Sequence, residues 1–134
     1  MSLPTDANAR KNVPLFRGLL KYFPDALCAV AELSRIGNEQ HNPGQPMHWA
    51  RGKSTDQEDC ILRHMLDIGT MDTDGVRHST KVAWRALALL QLEIEAAELK
   101  AALLADPKFV GVTNEMKGDS KVDRAIAPAD HPAS

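Results

Sequence analysis

The residues of this chain best suited to chemistry are carboxylates at helical spacing. In YFPDALCAVAELSRIGNEQ, Glu32 lies beside Ala29 and Ile36 on a helical wheel, at the margin of the apolar stripe, and Glu39 follows two turns later on nearly the same bearing. Partly buried carboxylates on one seam repel each other and bind protons more tightly unless a cation compensates, so one reading of the pair is a metal site. The other is an ion pair at the helix edge with Arg35 or a lysine. A second set sits in DQEDCILRHMLD. Counted from Cys60, the side chains of Arg63, His64 and Asp67 share a face opposite Ile61, Leu62, Met65 and Leu66, with Asp59 to one side. Magnesium and manganese favour oxygen ligands, so Asp67, with Asp59 or Glu58, can complete what Glu32 and Glu39 begin; the alternative is a solvated helix face.

Two loops add groups that fit a nucleotide. MHWARGK sets Trp49 between His48 and the cations Arg51 and Lys53, with Gly52 permitting close backbone approach; an aromatic plane beside a guanidinium and an ammonium suits a base and its phosphates. TMDTDGVRHS contributes Asp72, Asp74 and His78, followed one turn later by Lys81. The two aspartates match part of a calcium-binding loop, but the later glutamate that an EF-hand requires is missing, and a plain turn ending in Gly75 is the alternative. The adjacent His-Asp pair of another helical class of metal phosphohydrolases is absent.

The elements that must hold these residues are helices. A first main helix is predicted from Pro24 to about Gly37, with one further turn allowed, after a short one through LFRGLLKY. The loop NPGQPMHWARGKS is broken by two prolines and two glycines, and Ser54 or Thr55 can cap the next helix, DQEDCILRHMLD. A long helix follows from about Ser79 to Leu104. Its apolar residues Ala83, Leu87, Leu90, Ile94, Ala97, Ala101 and Leu104 alternate steps of four and three, and Val82, Ala86 and Leu89 form a second row. Two apolar faces on one helix need neighbours on both sides, which predicts a homo-oligomer, a dimer or tetramer; the alternative is a single-chain bundle with some exposed alanines. No segment alternates with period two, so the expected fold is all-α, a helical bundle with a long C-terminal helix.

The domain expectation is a loose arm over 1–14, a helical domain over 15–110 and a tail over 111–134, where Gly, Pro, Ser and Asp prevail. Sixteen basic against eighteen acidic side chains leave a net charge of −2, so no general attraction to nucleic acid or an anionic membrane surface is expected. No apolar run approaches the roughly 18 residues of a membrane span, and the polar start lacks the apolar centre of a signal peptide, which predicts a cytoplasmic protein. Cys28 and Cys60 are too few and too far apart for a disulfide framework or structural zinc.

The blocks YFPDALCAVAELSRIGNEQHNPGQPMHWARGKS and DCILRHMLDIGTMDTDGVRHSTKVAWRALALL, over about residues 22–95, resemble a phage-borne family of dATP/dGTP diphosphohydrolases, related to the all-α MazG and HisE nucleotide pyrophosphohydrolases. That family includes the MazZ enzymes of phages that replace adenine with 2-aminoadenine. The resemblance implies a MazG-like bundle and hydrolysis of a purine (deoxy)nucleoside triphosphate, dGTP or a related one, to the monophosphate and pyrophosphate with Mg2+ or Mn2+, in the host cytoplasm. It implies Glu32, Glu39 and Asp67 as catalytic carboxylates and Glu32, Glu39, Asp59 and Asp67 as metal ligands. The chain departs from the MazG pattern of paired carboxylates. Arg35 stands three residues after Glu32, and His64 takes the place of a glutamate three residues before Asp67. Arg51, Lys53, Arg63 and Lys81 are then candidates to offset phosphate charge, Trp49 or His48 to stack on the base, and Asn38 to hydrogen-bond it, with His64 at the same nucleotide site. The rival expectation is a non-catalytic helical oligomerisation module or a nucleotide-binding module without turnover.

Overall fold

In the computed structural model, residues 3–106 are described. They form α1 (Ala7–Lys11), a single π-helical turn (Phe16–Leu20), α2 (Pro24–His41), α3 (Gln57–Leu66) and α4 (His78–Ala105). Among the described residues there is no strand, only an isolated antiparallel bridge between Met71 and Arg77. The all-α class and the long last helix are as expected. None of the described helices is long and apolar enough to cross a membrane.

Local chemistry explains the bounds. Within the segment read as an arm, Asp6 caps α1 by accepting hydrogen bonds from the backbone of Asn8 (3.1 Å) and Ala9 (2.8 Å), and Arg10 and Lys11 complement its C-terminal end. Pro24 opens α2, where its missing N–H leaves nothing unsatisfied. The helix runs through Gly37 to His41 because Asn38 is buried and its amide grips the following loop. Neither Ser54 nor Thr55 caps α3. The N-cap is Asp56, whose carboxylate turns instead to Arg63 Nη2 (3.1 Å) and to the Cys60 thiol (3.4 Å).

Met1–Ala97 forms one compact unit. Within it, Trp84 of α4 donates its indole N–H to Ser34 Oγ of α2 (2.8 Å), and Arg85 Nη1 donates to Gln57 Oε1 at the start of α3 (3.0 Å). The apolar stripe of α2, Ala29, Leu33 and Ile36, faces Met71 and Val76 of the turn before α4 and Thr80 of α4. Among the described residues the buried side chains are largely polar: Asn38, Gln57, His78 and Thr80, against only Cys60 and Ala88 among apolar ones. The predicted heptad row of α4 lies elsewhere. Leu87 and Leu90 are half exposed and, with Ala83 and Ala86, line a groove of about 400 Å³ whose other wall is Phe23, Ala26, Leu27 and Val30.

Glu98–Ser134 is a second unit, described as far as Asp106; Leu99, Leu103 and Leu104 on its helical turns are exposed. The expected tail over 111–134 lies outside the described residues.

Candidate functional site

The densest polar chemistry gathers where α3 ends and α4 begins. Gly69 and Gly75 adopt positive φ (91° and 77°), which L side chains rarely tolerate, and so allow the chain to reverse within ten residues. Thr70 supports the reversal: its backbone N–H and Oγ1 both donate to the Asp67 carbonyl, and its own carbonyl accepts from the His78 N–H. Asp72 N–H donates to the Val76 carbonyl (2.8 Å) and Gly75 N–H to the Asp72 carbonyl (2.9 Å), closing the tip.

This turn brings His64, on the last turn of α3, against His78, the first residue of α4, with 3.0 Å between their Nδ1 atoms. Beside them Lys81 Nζ donates to Asp72 Oδ2 (2.6 Å) and Asp74 Oδ2 (2.7 Å). One atom each from His64, Asp72 and His78 lie within 4.8 Å of one another. The Lys81 hydrogen bond, then the Thr73 backbone N–H, holds the Asp72 carboxyl well below the usual carboxylate range. Burial disfavours the Lys81 ammonium, but its two aspartates outweigh that and raise its pKa. Burial first, then the charge of Lys81, lowers the proton affinity of His64, which is therefore a neutral imidazole near pH 7.

A second cluster flanks α4 further along. Trp49 meets Trp84 edge to face, with centroids 5.8 Å apart at 76°. The Arg51 guanidinium sits 4.5 Å over the Trp49 ring and pairs with Glu95 (3.0 Å). The loop is anchored from below: Asn38 Nδ2 donates to the Gln45 carbonyl (3.0 Å) and Asn38 Oδ1 accepts from the His48 N–H (3.1 Å).

A family model described as "dATP/dGTP diphosphohydrolase, N-terminal" matches residues 5–102, which span both clusters. The chain belongs to this dATP/dGTP diphosphohydrolase family. The family description is that of a hydrolase acting on nucleotide triphosphates. Comparison with the curated proteins and with the solved structures finds no match.

In this diphosphohydrolase-family chain the candidate residues scatter more than their spacing implies. Glu32, read as marginal to the buried stripe, is exposed because a single chain leaves that edge of α2 uncovered, and Arg35 binds it through both guanidinium Nε and Nη2 (shortest 2.7 Å). That hydrogen bond lowers the Glu32 pKa, so the ion-pair alternative is the one observed. Glu39, Asp59 and Asp67 are exposed as well. Among the described residues, no three of these four carboxylates bring ligand atoms within 4.8 Å of one another. Arg63 is engaged with Asp56 and with Cys60 Sγ (2.8 Å). Asn38 spends its acceptor and one donor on the loop backbone, while His48 and Lys53 face solvent. His64 and Lys81 do converge, on Asp72 and His78, two residues of the TMDTDGVRHS segment that sequence spacing does not join to the site. Their signal is the pair of turn glycines, which fold two histidines fourteen positions apart back onto each other. Gln57 and Arg85, which tie α3 to α4, carry no local signal.

Proposed function

We propose that this chain hydrolyses a purine deoxynucleoside triphosphate, dGTP or a close relative, between the α and β phosphates, giving the monophosphate and pyrophosphate in the nucleotide metabolism of a phage-infected cytoplasm. The observation that carries the reading is a partly buried cluster of imidazoles, carboxylates and an ammonium inside the segment that matches the family.

In this reaction water adds to the α phosphorus and the bond to the β-bridging oxygen breaks, so pyrophosphate departs and a proton is released. Charge develops on the leaving group, and side chains already held in place lower the barrier most. Arg51, aligned by Glu95 and Trp49, and the exposed Lys53 are the chain's own cations for that charge. His48 and the Trp49 edge offer apolar surface to the base, and Asn38 holds both by fixing the backbone at Gln45 and His48. A divalent ion supplies charge neutralisation and a more acidic water when bound. Glu32, Glu39, Asp59 and Asp67 do not converge within the single chain, so no step is assigned to an ion held by them.

The reading includes assembly. Among the described residues only Cys60 and Ala88 are buried apolar side chains, little burial to set against the entropy of ordering the helices, and a second copy seated on the groove between α2 and α4 would cover Leu87 and Leu90. The deciding experiment incubates the full chain with each of the eight common ribo- and deoxyribonucleoside triphosphates plus Mn2+ and identifies the products. Monophosphate with pyrophosphate, fastest from dGTP or dATP, is expected. No turnover of any triphosphate, with the oligomer intact, leaves a helical assembly module.

A further inference from the structure

We propose that His64, Asp72 and His78 bind one transition-metal dication, with Lys81 as the group that positions Asp72. These residues come from the end of α3, the reversing turn and the start of α4, and a donor atom of each lies within 4.8 Å of the other two. The separation of the imidazoles fits an ion between them. Two nitrogens each about 2.1 Å from a metal and at right angles to it stand about 3.0 Å apart, and the Nδ1 atoms of His64 and His78 are separated by 3.0 Å. A hydrogen bond between the rings satisfies the same distance, so the chemistry of the third donor and of the surroundings decides.

That third donor is a carboxylate with both oxygens already oriented. The Thr73 N–H (2.6 Å) and Oγ1 (3.3 Å) both donate to Asp72 Oδ1, while Lys81 donates to Oδ2, which keeps a further lone pair for a cation. Such outer partners fix the angle of a metal ligand. Lys81 is shared with Asp74, so two carboxylates face one ammonium. Two imidazoles with one carboxylate favour Mn2+, Co2+ or Zn2+ over Mg2+ or Ca2+, which prefer oxygen alone. Three protein donors leave positions for water or a phosphate oxygen; that use of the site, unlike the site itself, rests on the hydrolase reading.

The test uses the full chain stripped with chelator and Co2+ as the probe, followed by calorimetry and by visible absorption. One Co2+ per chain with a visible ligand-field band is expected. A hundredfold excess of Mg2+ should leave it bound, and Zn2+ should displace it. His64→Gln and Asp72→Asn should each weaken binding at least tenfold with the helical circular dichroism unchanged. His64 is only partly buried, which keeps the test informative if a His78 variant fails to fold. Absence of saturable binding, displacement by equimolar Mg2+, or undiminished affinity in both variants overturns the proposal. Pyrophosphate release is read separately. Co2+ bound as described without turnover sinks the hydrolase reading alone, whereas turnover with Mg2+ and no Co2+ binding sinks this one alone.

Discussion

The reversal between α3 and α4 and the groove between α2 and α4 use the same long helix in opposite ways. At the reversal, α4 turns its polar residues inward: His78 and Thr80 are buried, and the Lys81 side chain is only 15% exposed. Two turns later its leucines point outward, with Leu87 at 50% and Leu90 at 52% exposure. Globular helices ordinarily bury the apolar face and solvate the polar one. The inversion shows that the chain spends its own interior on positioning charged and hydrogen-bonding groups and leaves the leucines of this face exposed.

The largest effect that would break this comparison is loss of assembly. Leu87→Glu with Leu90→Glu should reduce the solution mass to that of one chain while sparing the reversal, and light scattering checks it; a variant with unchanged mass would show that the groove is not an interface. Next comes the joint between the two regions. Trp84→Ala removes the indole that spans Ser34, Trp49 and Arg85 and should destabilise the fold by roughly 2–3 kcal/mol, whereas Trp84→Phe should cost about 1 kcal/mol, the net worth of one hydrogen bond, in urea denaturation.

A smaller effect sharpens the account of the reversal. The His64 pKa is lowered in the fold, so the unfolded chain binds the extra proton as pH falls below about 6.5, and stability declines from there downward. The Asp72 carboxyl is depressed, so its contribution is complete above about pH 4 and disappears as pH drops further. Thermal melts should therefore show two acid limbs in the metal-free chain, and His64→Gln should erase the upper one. The smallest effect is at the edge of α2. Arg35→Ala opens an exposed i, i+3 ion pair and should leave the melting temperature unchanged within error.

Much of the frame was legible in the residue order. Pro24, the two leucine-rich rows and the Gly-Pro loop marked α2, α4 and the segment between them, and α3 lies within one residue of its predicted bounds at either end. Less of the site was legible. Glu32 and Glu39 share a helical bearing, yet a wheel shows only which residues share a face, and whether anything covers that face depends on neighbours distant in sequence. Arg35 therefore claimed Glu32. His64 and Lys81 stand among the nucleotide-site candidates, but their partners are hidden in the sequence because a turn of ten residues with two left-handed glycines can direct them several ways. Asn38 was read for a base and instead secures a loop, since a buried amide takes the nearest unpaired backbone groups.

Residue order alone determined that this chain is helical, that its last helix is long and over-supplied with apolar surface, and that its blocks resemble one hydrolase family, because period, punctuation and local motif are properties of neighbouring residues. Tertiary structure decided which face of α4 turns inward and that two imidazoles meet a carboxylate beside Lys81. Those outcomes depend on long-range hydrogen bonds, Trp84 to Ser34 and Arg85 to Gln57, whose partners stand 50 and 28 positions apart.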